Sequence, residues 1–490
     1  MSDRHSAAEA IYQPIPQAPV ASNPLLSVPG DLDLDEDLTE RSQHDVAETH
    51  VVVDSRIRWI HFLLGCAVLL PWNVMITATP YFLSRLEGTS LKGTFSSYLS
   101  VTFTIANFGF LAHATATAKK ASNTRRSLFS LGFLAVLCLM LTASTYIHPA
   151  PEGFFVLVLL NAVGQATAGS YLQTAVVAVA SLFGPAAMQA VMSGQAAVAV
   201  AISGVQVLSA AASVHGTSPS DGVSITEPEE QSAFIFFGLS TIFLVICVAV
   251  HTWLVSLPAY KSVVSRARLR HRTQEESGLL EESANDPDSQ AYRKADEKHH
   301  VVRIAKTNTV FNVAVAYVFV VTLAVFPPIT VSVLPTNPSV HPLIFTALHF
   351  LMFNVGDFAG RSICSLPRFH VWSARRLLTL SLLRTLFIPL FLMCNVQWAS
   401  ASSSSGPIIS SDIVFMTIVL LFGLTNGYVS SMCMMAAPSL AHNPRLKGRV
   451  EDVDVAATVA GFCLVGGLAA GSMLSFAVRA LVCDCNPFVA

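Results

Sequence analysis

Charge is scarce in this chain. Asp, Glu, Lys and Arg make up 12% of its 490 residues, about half the share usual in a soluble domain. With 52% hydrophobic residues and a mean hydropathy of +0.56, a soluble globular protein of this size is excluded. The formal net charge of -2 identifies no partner, because the charges are segregated along the chain. No CxxC pair and no Cys/His run with metal-ligand spacing occurs, which argues against a zinc site or a disulfide framework. Seven of the nine cysteines (Cys66, Cys138, Cys247, Cys364, Cys394, Cys433 and Cys463) lie within apolar runs, and Cys483 and Cys485 are too close for an easy mutual bridge. A GxxxxGK[ST] phosphate loop is missing, so nothing supports coupling to ATP. No cofactor is expected. No signal peptide is expected either, since the first apolar run follows about fifty polar residues.

What the chain has in abundance is apolar runs of spanning length, about 20 residues each. Eleven candidates lie near 57–83, 96–118, 127–147, 153–182, 185–214, 232–257, 305–333, 342–366, 374–400, 412–439 and 453–482. Only Phe183-Gly184-Pro185 separates the fourth from the fifth, and the proline forces that break. Placing the N-terminus in the cytosol puts nineteen Lys and Arg in cytosolic loops and two, Arg85 and Lys92, in outer ones. The expected class is therefore all-α: a polytopic membrane protein of eleven helices. Residues 1–52, rich in Pro, Ser, Asp and Glu, read as a disordered cytosolic tail. A charged cytosolic linker, 258–304, divides a six-helix bundle at 53–257 from a five-helix bundle at 305–490. Two bundles on such a tether suit a transporter that rocks about a midplane site. Arg266, Arg268, Arg270 and Arg272 in the linker read as a topology anchor beside anionic membrane lipid. Without a folded platform they are no nucleic-acid site.

Inside the run from about 343 to 366, Asn354, Asp357 and Arg361 stand at i, i+3 and i+7, on one face of a helix. Charges at membrane depth cost several kcal/mol and mark substrate or ion pathways. The bland reading is a structural ion pair that pins two helices. Trp72 follows Pro71 within the first run, where a kink could aim its flat ring at a flat ligand. Packing or an interfacial belt would equally account for it. Gln173 could read a base edge or bond a neighbouring helix. Phe326-Pro327-Pro328 predicts a break at membrane depth, and Leu424-Thr425-Asn426-Gly427-Tyr428 a further weak point. His113, near a run's cytosolic end, reads as a hydrated or helix-packing histidine.

Taken in order, five motifs resemble the equilibrative nucleoside transporter family. They are Pro71-Trp72-Asn73 with Tyr81-Phe82; Met192-Ser193-Gly194-Gln195; Phe353 to Arg361; Arg384 with Ile388-Pro389-Leu390 and Cys394-Asn395; and Thr425-Asn426-Gly427-Tyr428. The resemblance covers essentially all eleven runs. It implies a major-facilitator-like fold with a nucleoside bound between the six-helix and five-helix halves. Trp72 and Gln173 would match residues that contact the nucleobase, and Asp357 and Arg361 those that face the ribose, with Asn354 supporting them. Ile76 stands where some relatives have methionine, at a position that affects inhibitor response, so inhibitor sensitivity does not carry over. The acidic tail resembles intracellular and fungal members.

These readings converge on a carrier of nucleosides, with nucleobases a further substrate class, working by alternating access and not an enzyme. Proton-linked symport through Asp357 is the nearest rival, but an acid beside an arginine is a poor proton carrier. An intramembrane aspartyl protease, prompted by Gly356-Asp357, needs two carboxylates sharing a proton. No second aspartate lies at comparable depth, since Asp454 opens the last run. A structural or receptor-like membrane protein is the third option. In the linker, Glu275, Leu279 and Leu280 match an acidic dileucine pattern that sorting adaptors read. That pattern favours a vacuolar or lysosomal membrane over the plasma membrane.

Overall fold

Three long helices of this protein begin on a proline. In the computed structural model, which describes residues 54–483 apart from 93, 119–121, 216–225, 268, 270–298 and 397–407, the chain is almost wholly helical. The expected tail and the sorting pattern at Glu275, Leu279 and Leu280 lie outside the described residues. All described residues belong to one unit that begins at Val53.

The first helices are α1 (Ser55–Thr77), the short α2 (Thr79–Arg85), α3 (Phe95–Ala116) and α4 (Asn123–Ser144). Next come α5 (Pro151–Leu182), α6 (Pro185–His215) and α7 (Thr226–Ser256). Beyond the linker follow α8 (Thr309–Val325), α9 (Pro342–Ile363), α10 (Ala374–Leu383), α11 (Phe387–Leu392), α12 (Asp412–Ala436) and α13 (Val453–Cys483). Pro151, Pro185 and Pro342 sit at the first helical position, where a missing N–H costs nothing. Asp54 caps α1 by accepting from the Arg56 N–H at 3.0 Å. Gly184, at φ +90°, makes the turn between α5 and α6.

Among the described residues, ten segments are long and apolar enough to cross a membrane. The run expected at 374–400 is not among them, because it folds as α10, a 3-10 turn at Arg384–Leu386, and α11. Pro389 explains the interruption: it has no N–H to donate to the carbonyl of Thr385, four residues back. The run at 305–333 is likewise not one helix. α8 ends at Val325, a cis Phe326-Pro327 bond follows, and Thr330–Ser332 form a 3-10 turn. Two other marked positions, the kink expected at Pro71 and the weak point at 424–428, lie inside continuous helices. α1 continues through Pro71, and α12 runs unbroken through Thr425-Asn426-Gly427.

Gly423 and Gly427 serve packing instead. α9 and α12 run parallel with their backbones touching: Gly356 and Gly360 abut the carbonyls of Leu420 and Leu424, and Gly423 and Gly427 those of Phe353 and Asp357. Any Cβ at these four positions would meet a carbonyl oxygen. Small residues permit such approach where lipid supplies no hydrophobic drive between helices. An aromatic core flanks this pair, with Phe326 stacked on Phe353 at 4.3 Å and Phe345 on Phe415 at 5.5 Å.

Candidate functional site

Close packing of α9 on α12 leaves the polar side chains of α9 little choice of partner. Asp357 and Arg361 are each 6% exposed. Arg361 Nε donates to Asp357 Oδ2 at 2.8 Å, and Asn426 Nδ2 of α12 donates to Asp357 Oδ1 at 2.6 Å. Both carboxylate oxygens are therefore occupied. Arg361 also reaches α6: its Nη1 donates to the Met192 carbonyl at 3.0 Å and lies 3.5 Å from Gln195 Oε1. In return, Gln189 Nε2 of α6 donates to the Arg361 carbonyl at 3.1 Å. Further along the same antiparallel contact, Asn354 Nδ2 donates to Ser203 Oγ at 2.5 Å. Asn354, Asp357 and Arg361 thus share one polar face, turned to α6 and α12. The pair does pin helices, as the bland reading required. One donor stays uncommitted: Arg361 Nη2 has no hydrogen bond to any described residue.

The other two expected residues have neighbours of their own. The Trp72 ring is half-buried against Phe103 of α3, with centroids 4.8 Å apart. Gln173, on α5, is half-buried in a narrow crevice with Leu111 of α3 and with Thr458, Gly461 and Phe462 of α13. Its amide bonds no neighbouring helix among the described residues. No hydrogen bond or ring contact among the described residues joins Trp72 or Gln173 to Asp357 or Arg361. His113 is exposed on α3, its Nδ1 lying 2.6 Å from the Tyr171 hydroxyl of α5.

Sequence reasoning assigned no role to three residues that complete the polar cluster. Arg384, in the turn between α10 and α11, is 1% exposed. It donates to Thr322 Oγ1 of α8 at 2.8 Å and to the Phe422 carbonyl of α12 at 2.9 Å. Thr322 in turn donates to Asn426 Oδ1 at 2.8 Å. The cluster then holds two guanidiniums against one carboxylate. Arg384 was legible as a charge in an apolar run; its link to Asp357 was not. Among the described residues no second carboxylate joins the cluster, which removes the basis for protease chemistry.

The family model described as Nucleoside transporter matches residues 156–480. Equilibrative nucleoside transporter 1 of Rattus norvegicus is 28% identical over 469 residues, covering 86% of this chain and 96% of the relative. Nucleoside transporter FUN26 of Saccharomyces cerevisiae is 27% identical over 445 residues, covering 85% of this chain and 82% of that protein. Among solved structures, the fucose:proton symporter of E. coli superposes with a TM-score of 0.50 at 14% identity, covering 87% of this chain and 97% of the symporter. That last likeness concerns the fold alone.

Proposed function

This chain belongs to the nucleoside transporter family, and we propose that it moves nucleosides across a membrane by alternating access, down their gradient and without ATP. The observation that carries the site assignment is the buried Asp357–Arg361 pair, which bridges α9 to α6 and α12. A charged pair at this depth is costly, and here it joins helices from either side of the linker, which would part as the two halves rock. Arg361 acts twice in this reading. Its Nη1 closes the α6–α9 contact, and its free Nη2 offers a donor to a ribose hydroxyl. Asp357 holds the guanidinium in place. Trp72 borders the nucleobase and Gln173, whose amide is uncommitted, hydrogen-bonds it. Asn354 joins the interface through Ser203. Binding that replaces the bonds of Arg361 to α6 would favour the alternative state, as differential contacts must.

Uptake of labelled uridine and adenosine into proteoliposomes, with and without a pH gradient, tests this. We expect saturable uptake of both that the gradient leaves unchanged. Rates no better than empty liposomes would overturn the activity, and uptake driven by an inward proton gradient would replace diffusion with symport. We also place the protein in a vacuolar or lysosomal membrane with its N-terminus cytosolic. The support is the Lys/Arg bias and the Glu275, Leu279, Leu280 pattern. Imaging of a tagged protein at native expression checks it. Surface residence, unchanged by Leu279→Ala with Leu280→Ala, would refute the location and the signal.

A further inference from the structure

A guanidinium can only donate hydrogen bonds, so one buried at the end of a chain of hydroxyls and amides obliges its neighbours to accept. Arg384 is in that position. Its Nη1 donates to the Phe422 carbonyl at 2.9 Å and to Thr425 Oγ1 at 2.5 Å, and its Cζ lies 4.5 Å from the centre of the Phe422 ring. Its Nη2 donates to Thr322 Oγ1 at 2.8 Å and approaches Asn426 Oδ1 at 3.5 Å. Because Thr322 accepts from Arg384, its own proton is turned outward, to Asn426 Oδ1 at 2.8 Å or to the Val318 carbonyl at 2.7 Å. With that proton on Asn426 Oδ1, the amide oxygen faces the Thr322 hydroxyl and Arg384 Nη2, and its NH2 faces the other way. There it donates to Asp357 Oδ1 at 2.6 Å. A flipped amide would set its oxygen against the carboxylate and its NH2 against Thr322 and Arg384. The oxygen against the carboxylate and the NH2 against Arg384 Nη2 are both repulsive, so the carboxylate and the guanidinium together settle an orientation that geometry alone leaves open.

We propose that Arg384 is the positioning residue of the substrate face: through Thr322 and Asn426 it fixes the rotamer in which Asp357 receives Arg361. This rests on the reading of Asp357 and Arg361 as that face. Arg384 itself, 1% exposed, touches no ligand. A purely structural role is a poor account of it. Apolar side chains of similar volume often serve packing as well as a buried charge or better, and this cation adds a second positive charge where one carboxylate already has a partner. What an apolar side chain cannot do is orient the relay.

The test uses the full-length protein in proteoliposomes and separates KM from maximal rate for uridine. Thr322→Val removes one hydroxyl and keeps the shape of the side chain. It should raise KM about tenfold, the cost of one hydrogen bond to a charged group, with maximal rate within about twofold. Asn426→Ala should do the same. The double variant should be no worse than either single, because all act through one oxygen of Asp357. Arg384→Met should match them, with Arg384→Lys recovering part of the loss; if Arg384→Met does not fold, the other two variants decide. Normal KM in Thr322→Val and Asn426→Ala, or increments that simply add, overturns the relay. Asp357→Ala separates the two readings. If it loses uptake while Thr322→Val keeps its KM, the relay falls and the substrate face stands. If it transports normally, both fall.

Discussion

Losing Asp357 and losing Arg361 are unequal events. Asp357→Ala leaves Arg361 and Arg384 buried with no carboxylate between them, whereas Arg361→Ala leaves Asp357 bonded to Asn426 and still within electrostatic reach of Arg384. An uncompensated buried charge costs on the order of 3–5 kcal/mol. We therefore expect both variants to lose most uptake, with Asp357→Ala melting at the lower temperature in detergent. Equal melting temperatures would mean that Arg384 does not share in balancing Asp357, and normal uptake by either variant would remove that residue from the site. Trp72 and Gln173 differ in another way. A site that hydrogen-bonds a polar edge loses more from an unpaired group than from lost apolar contact. Gln173→Ala should shift the preference between uridine and adenosine, and Trp72→Ala should weaken uptake of both. Identical losses for both substrates in both variants would make these residues helix packing only.

At the scale of the helix, two devices place the site. The first is the glycine contact between α9 and α12, which brings the Asp357 and Asn426 side chains within 2.6 Å. A methyl at Gly427 would press on the carbonyl of Asp357 itself. Gly427→Ala should destabilise the protein by about 1–3 kcal/mol, the usual cost of overpacking, and lower uptake beyond what stability explains. Full uptake with an unchanged melting temperature would show that the helices separate without consequence. The second device is the interruption before Pro389, which puts Arg384 in a tight turn rather than a regular helix. Its sequence signature, a proline shortly after an arginine in an apolar run, was visible. The broken helix it produces was not, because spanning length counted over 374–400 averages across the break.

For the whole molecule, the question is whether α6 and α9 part during the cycle. Asn354 and Ser203 are in hydrogen-bond contact across that interface. A disulfide between Asn354→Cys and Ser203→Cys should abolish uptake under oxidising conditions, and reductant should restore it. Undiminished uptake by the cross-linked protein would place the moving interface elsewhere and remove the gating role of Arg361. The seven native cysteines described as free are buried or half-buried, which favours the engineered pair as the site of oxidation.

Hydropathy and spacing alone determined that the chain is helical and membrane-spanning, that Asn354, Asp357 and Arg361 share a face, and that prolines interrupt the runs near 183–185 and 326–328. These are one-dimensional properties: apolar length, helical periodicity and the missing N–H of proline act within a few turns of one segment. Only the tertiary structure decided that Asp357 is bonded by Asn426, that Arg384 and Asn426 both meet Thr322, and that Arg361 reaches Met192. Those partners come from five segments far apart in sequence, and which of them meet depends on how closely two backbones approach. A glycine announces that an approach is allowed, but not which helix makes it. Trp72 and Gln173 show the converse. Their chemistry was legible residue by residue, but their neighbours were not: Trp72 packs against Phe103, and Gln173 lines the crevice with α13.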